Sequence, residues 1–126
     1  MKIIVDSSVW IDYFRSGQKS DMLDTLIDEN LIAVNDLILT EIITPLRLKK
    51  QKRIIALLNE IENFELHIDW QQIRDFQYIC LKNGINKIGI SDLIIAQNTI
   101  QNSTAIYTLD KHFNFLKTLI GVRVYV

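Results

Sequence analysis

Ile3-Ile4-Val5, a β-branched run, gives way without a break to Asp6-Ser7-Ser8, and changes of this kind recur along the chain. Such a junction reads as a buried strand feeding a helix, here one that Gly17 stops, and it leaves Asp6 at the strand's C-terminal end. A second helix is expected from about Ser20 to Glu29, with Leu23, Leu26 and Ile27 on one face. A short strand over Leu31 to Val34 follows. Asp36 is placed to cap a third helix carrying Leu37, Ile38, Glu41 and Ile42. Pro45 lies four residues after Glu41, where its ring opposes the Glu41 carbonyl, so a kink or an end is expected just past Glu41.

Ile54, Leu57, Leu58 and Ile61 keep the i, i+3, i+4, i+7 spacing of a fourth amphipathic helix, and the alternation of Phe64, Leu66 and Ile68 suggests an edge strand. Asp69-Trp70-Gln71-Gln72 resembles a capping box opening a fifth helix through Ile73, Phe76 and Cys80, closed by Gly84. Ser91 is the expected cap of a sixth, from Asp92 to about Gln101. Ala105 to Thr108 reads as a strand ending at Asp110, and Val122, Val124 and Val126 alternate in a last strand. Strands alternating with helices imply an α/β fold: a mostly parallel central sheet with helices on both faces, whose ligands sit beyond the carboxyl ends of the strands. Asp6 and Asp110 belong there.

Length and composition narrow the setting. With 126 residues, 48% of them hydrophobic, and one proline, the whole of 1–126 is expected to form one domain with its own core. No apolar run approaches the length of a membrane span and Met1-Lys2 leads straight into the first strand, so a cytoplasmic protein without a membrane segment is expected. Cys80 is the only cysteine, which excludes an internal disulfide, and its surroundings suit a small buried thiol. His67 and His112 show no metal-ligand spacing, so a zinc site is not expected and any metal would be bound by oxygen. A net charge of -1 gives no global basic signature. The one local cluster is Arg47, Lys49, Lys50, Lys52 and Arg53, which as a group suit a phosphate backbone and singly are ordinary solvated charges.

Each acid near a strand end has an ordinary explanation when taken alone. Asp6 and Asp110 can cap helices, and Asp92 can complement a helix dipole. Glu41 differs: apolar neighbours one turn away suggest a buried face, and no lysine or arginine lies within four residues of it. An ionised carboxylate there needs a partner, unless it points outward to water. Acids converging from separate βα junctions would repel one another unless a cation neutralised them. Hard oxygen donors suit Mg²⁺ or Mn²⁺, ions that serve phosphodiester hydrolysis.

At these residues the sequence resembles the PIN-domain nucleases, and among them the VapC-type toxins of type II toxin-antitoxin systems. Four blocks carry the resemblance: Ile3 through Ile11 around Asp6, Leu39-Thr40-Glu41-Ile42, Ile90 through Ala96 around Asp92, and Tyr107 through Phe113 around Asp110. They occur in the family's order and span nearly the whole chain. Asn86-Lys87-Ile88 before the third block and Pro45 in the second helix depart from the family's pattern. The resemblance implies a PIN-like fold and a metal-dependent endoribonuclease in which Asp6 and Asp92 are the principal metal ligands. Glu41 and Asp110 would complete the site directly or through water, and Ser8 would help fix Asp6. It further implies a metal-activated water attacking an RNA phosphodiester in line to leave a 5′ phosphate and a 3′ hydroxyl. A homodimer and a cognate antitoxin whose peptide docks over the acidic groove are implied as well.

Trp10, Tyr13 and Phe14 have the spacing either of base-stacking aromatics or of a core or dimer interface. A haloacid dehalogenase-type phosphatase also places an aspartate after its first strand, but its chemistry wants an acid two positions later, where this chain has Ser8. A non-catalytic PIN-like binding module would be expected to lack at least one of the four acids. A housekeeping RNA-processing nuclease is the remaining alternative.

Overall fold

The computed structural model describes residues 1–125, so the expected extension of the last strand to Val126 lies outside the described residues. Its sheet consists of β1 (Ile3–Val5), β2 (Ile32–Val34), β3 (Glu62–Asn63), β4 (Ala105–Tyr107) and β5 (Arg123–Val124). The order is β3-β2-β1-β4-β5 and every pairing is parallel. Ile4 is paired with Ala33 on one side and Ile106 on the other. Ile32, Ala33 and Val34 are all buried although successive side chains point to opposite faces, so both faces of the sheet are covered.

The covering helices are α1 (Ser7–Arg15), α2 (Met22–Asp28), α3 (Asp36–Leu48), α4 (Lys52–Leu58), α5 (Trp70–Lys82), α6 (Ile90–Gln101) and α7 (His112–Ile120). Gly17, at φ +69°, supplies the left-handed residue beyond α1 that a side chain would resist. Within α6 every residue from Leu93 to Thr99 is buried, the signature of a helix enclosed on all sides. Its polar members are all satisfied. Gln97 bonds the Asp69 backbone and Gln72, while Asn98 accepts from Asn35 and donates to the Glu65 carbonyl. This fixed axis holds Asp92 in its first turn. No helix among the described residues is long and apolar enough to cross a membrane.

Several local expectations are corrected. α3 runs through Pro45 to Leu48, because buried Ile42 and Leu46 on either side of the proline anchor both halves of the helix. Its cap is Asn35, whose side chain accepts from Ile38 N, rather than Asp36. Gly89, with no side-chain bond, stands where Ser91 was expected to cap α6. Asp69 does cap α5 through Gln72 N, but Gln97 takes the return half of the capping box by accepting from Asp69 N. The edge strand is shorter and earlier than expected: it ends at Asn63, with a last backbone bond from Phe64 N to the Val34 carbonyl, and Phe64, Leu66 and Ile68 pack half-buried against the core. Ile27 and Leu57 are exposed, at 37% and 57%. They border an apolar groove of about 450 Å³ shared with Trp10, Tyr13, Phe14 and Ile54.

Candidate metal centre

The chain lays β2 and β3 on one side of β1 and then returns to place β4 and β5 on the other. The connections therefore diverge between β1 and β4, and open parallel sheets present their ligand crevice at the carboxyl ends of such a pair. Asp6 directly follows β1, and Asp110 follows β4 by three residues.

Asp6 occupies the N-cap position of α1, yet its carboxylate makes no cap bond. Instead Oδ2 accepts from the Ser8 hydroxyl at 2.8 Å and the Thr108 hydroxyl at 2.9 Å. Each hydroxyl in turn accepts a backbone N–H, Ser8 from Leu109 and Thr108 from Asp110, both at 3.0 Å. The turn after β1 is thereby stitched to the turn after β4. Asp6 is 4% exposed, and burial pushes its pKa up against the lowering effect of these donors.

Asp110 Oδ1 accepts the His112 backbone N–H at 2.9 Å, and the His112 ring Nδ1 stands 3.3 Å from the same oxygen. Asp92, Asp110 and His112 each offer one ligand atom, all lying within 4.8 Å of one another. Burial, followed by the charges of Asp110 and Asp6, raises the Asp92 pKa to about 6. Glu41 faces solvent on its open side, which corrects the expectation of a buried face. Its pKa is still raised, by partial burial and by the Asp6 and Asp92 charges. The four acids thus share one field, with Asp92 and Asp110 closest to His112 and Asp6 and Glu41 flanking them.

Among the described residues the only side chains at salt-bridge distance are His67 beside Glu65 and His112 beside Asp110, so no lysine or arginine neutralises Asp6, Glu41 or Asp92. Crowded, partly desolvated carboxylates without a cationic partner fit a hard divalent cation. The order of blocks seen in the sequence now has a spatial counterpart, and the PIN domain profile matches residues 3–117. The chain belongs to the PIN domain family.

Solved structures agree on the fold of this PIN domain. VapBC2 from Rickettsia felis bound to a DNA fragment from their promoter is similar at a TM-score of 0.76 and 18% identity, over 99% of this chain and 98% of that one. DNA-bound VapBC from Salmonella typhimurium gives 0.76 at 11% identity, over 99% and 97%. FitAcB from Neisseria gonorrhoeae gives 0.70 at 21%, over 98% and 96%. No curated protein sequence matches the chain.

Other residues singled out in the sequence stand differently around this PIN domain's acids. Ser8 has its hydroxyl engaged with Asp6 and the Leu109 amide. Arg47, Lys49, Lys50, Lys52 and Arg53 are exposed at the end of α3 and the start of α4. Lys49 lies about 12 Å along the helix axis from Glu41, eight residues at ~1.5 Å each. Trp10 is buried and stacks on Phe14, and the Tyr13 hydroxyl donates to Asp24, so this trio is packed rather than splayed for bases.

Three residues near the centre had no role in it assigned from the sequence. Thr108 holds Asp6, His112 joins the acids, and Lys87 shares a cleft of about 210 Å³ with His112 and Phe115. Asp110-Lys111-His112 carried the available signal for the histidine, two positions past an acid at a strand's end, where a single turn brings both side chains together.

Proposed function

We propose that this PIN domain is a Mg²⁺- or Mn²⁺-dependent endoribonuclease, a hydrolase of RNA phosphodiesters, and that it is the cytoplasmic toxin of a toxin-antitoxin pair. The observation that carries the reading is the gathering of Asp6, Glu41, Asp92 and Asp110 at the β1/β4 crevice without a lysine or arginine partner. Asp6, Asp92, Glu41 and Asp110 would hold the cation, and His112 stands close enough to join them. A bound divalent cation supplies charge neutralisation for the phosphodiester and a water of lowered pKa.

The protein's own groups do the rest. Ser8 and Thr108 hold the Asp6 carboxylate in one orientation, with both of their oxygens tied to the β4–α7 turn. The backbone N–H of His112 fixes Asp110. Glu41, at the solvent edge, can accept a proton or orient water at the groove's open side. Lys87 shares a cleft with His112, and the cluster from Arg47 to Arg53 offers a second, more distant contact for the RNA backbone.

The resemblance to VapC-type toxins, together with fold similarity to VapBC structures, supports an antitoxin partner, and the resemblance alone implies a homodimer. The exposed apolar surface around Ile27 and Leu57 is of the kind that partners cover.

The test is cleavage of an RNA and of single-stranded DNA of the same sequence, in Mg²⁺ or Mn²⁺ and then with chelator. RNA cut to 5′-phosphate products, with DNA intact and cleavage abolished by chelator, is expected. Folded, partner-free protein that cuts nothing, or that cuts regardless of chelator, would overturn the reading.

A further inference from the structure

We infer that His112 is a nitrogen ligand of the divalent cation in this centre and that it tilts the site toward Mn²⁺ over Mg²⁺. The inference rests on the reading of the acids as a cation site and goes beyond it by adding a donor of different chemistry.

Asp92, Asp110 and His112 form the tightest group of metal-competent atoms, all within 4.8 Å of one another, whereas Asp6 and Glu41 fall outside it. Two features leave the imidazole available. Its backbone N–H, not its ring, donates to Asp110 Oδ1 at 2.9 Å. The ring Nδ1 stands 3.3 Å from that oxygen, and among the described residues neither ring nitrogen makes a hydrogen bond, so no other contact claims them. The backbone that carries the ring is anchored: α7 begins at His112, and its next residue, Phe113, is fully buried in the first turn.

A carboxylate ligand set that includes one imidazole has a different preference from one of carboxylates alone. Mg²⁺ favours oxygen and binds imidazole poorly, whereas Mn²⁺ accepts both and stands within the affinity series in which nitrogen donors add strength. His112 is thus a specificity-determining residue for the metal. The competing role, in which the ring only orients Asp110, would leave the ion surrounded by oxygen.

The experiment is pulsed electron paramagnetic resonance of Mn²⁺ bound to the full chain, read for ¹⁴N modulation, in wild type, His112→Ala and His67→Ala. Calorimetric Mn²⁺ and Mg²⁺ affinities are measured on the same proteins. Nitrogen coupling in wild type and His67→Ala, lost in His112→Ala, is expected. The Mn²⁺/Mg²⁺ affinity ratio should fall about tenfold in His112→Ala, the size typical of losing a group that supports a metal site. Bound Mn²⁺ without nitrogen coupling, coupling that survives in His112→Ala, or an unchanged ratio would overturn this inference and leave the cation site standing. Failure of Mn²⁺ to bind at all would overturn both.

Discussion

The Thr108 hydroxyl donates to Asp6 Oδ2 at 2.9 Å, closing a contact between residues 102 positions apart in the chain. The same hydroxyl accepts the Asp110 N–H at 3.0 Å, so one side chain sets the position of two of the four acids. Burial already disfavours the charged form of Asp6, and this donor is among the groups that offset it.

Thr108→Val keeps the shape of the side chain and removes both bonds. Affinity for Mn²⁺ at neutral pH should fall about ten- to a hundredfold, as for other groups that orient metal ligands. Stability should fall by about 1–2 kcal/mol from the unsatisfied Asp110 amide and the weakened Asp6 contact. Titration calorimetry and denaturant unfolding read the two effects. Unchanged affinity in a folded variant would mean that the contact is structural only.

Asp92 gives the metal-free protein a definite pH dependence. Its pKa is about 6 when folded against 3.8 as the reference for the unfolded chain, so folding favours the protonated form. The stabilising contribution is complete below about pH 4 and lost as pH rises through 6. Asp92→Asn should therefore stabilise metal-free protein at pH 7 by about 1 kcal/mol, after discounting for solvent screening at a half-open site. The gain should vanish near pH 4. Thermal melts in chelator at the two pH values check this, and a destabilised variant at pH 7 would contradict it.

Cations should stabilise the wild type in the opposite sense. At ten times the dissociation constant, Mg²⁺ or Mn²⁺ adds about 1.4 kcal/mol by mass action. The increment should shrink at pH 5.5, where protons compete with the cation for Asp92. Melting curves with and without cation at pH 7.5 and 5.5 measure the difference, and equal increments would count against the acids as the binding site.

The architecture was legible in the sequence because the alternation of short apolar runs with helical periodicity leaves few sheets to build. β1, β2 and β4 fell where their β-branched residues placed them, and Asp6 and Asp110 therefore came to the same edge. The helix starts were less legible: Asn35 and Asp36 are adjacent residues with similar capping ability, and only tertiary bonding to Asn98 selects the first. Pro45 does not end its helix because the packing of Ile42 and Leu46 outweighs the local sterics that the sequence displays. The roles of Thr108 and His112 were hidden for a different reason. One acts across the sheet, and the other is a single histidine whose partners are carboxylates rather than a second histidine at a fixed spacing.

Asn98 should be among the more costly buried polar residues to remove. It is 2% exposed, accepts from Asn35 Nδ2 and donates to the Glu65 carbonyl. Asn98→Leu leaves both of those groups without partners and should cost about 2–4 kcal/mol, measurable as a lower denaturant midpoint. A loss under half a kcal/mol would mean water replaces both bonds without penalty.

The basic cluster, standing apart from the acids, should govern RNA affinity more than cleavage. Changing Lys49, Lys50 and Lys52 to Gln should lower the slope of log affinity against log salt by about 2, near 0.7 per lost contact to single-stranded RNA. Cleavage at saturating RNA should be little changed. An unaltered slope would place the RNA elsewhere.

The most direct test of the account is calorimetric titration of Mn²⁺ into the metal-free wild type and an Asp6→Asn, Asp92→Asn double variant at pH 7.5. Saturable binding to the wild type, and its loss in a double variant that remains folded, are expected. Equal binding to both proteins would contradict the assignment of the four acids as the metal centre.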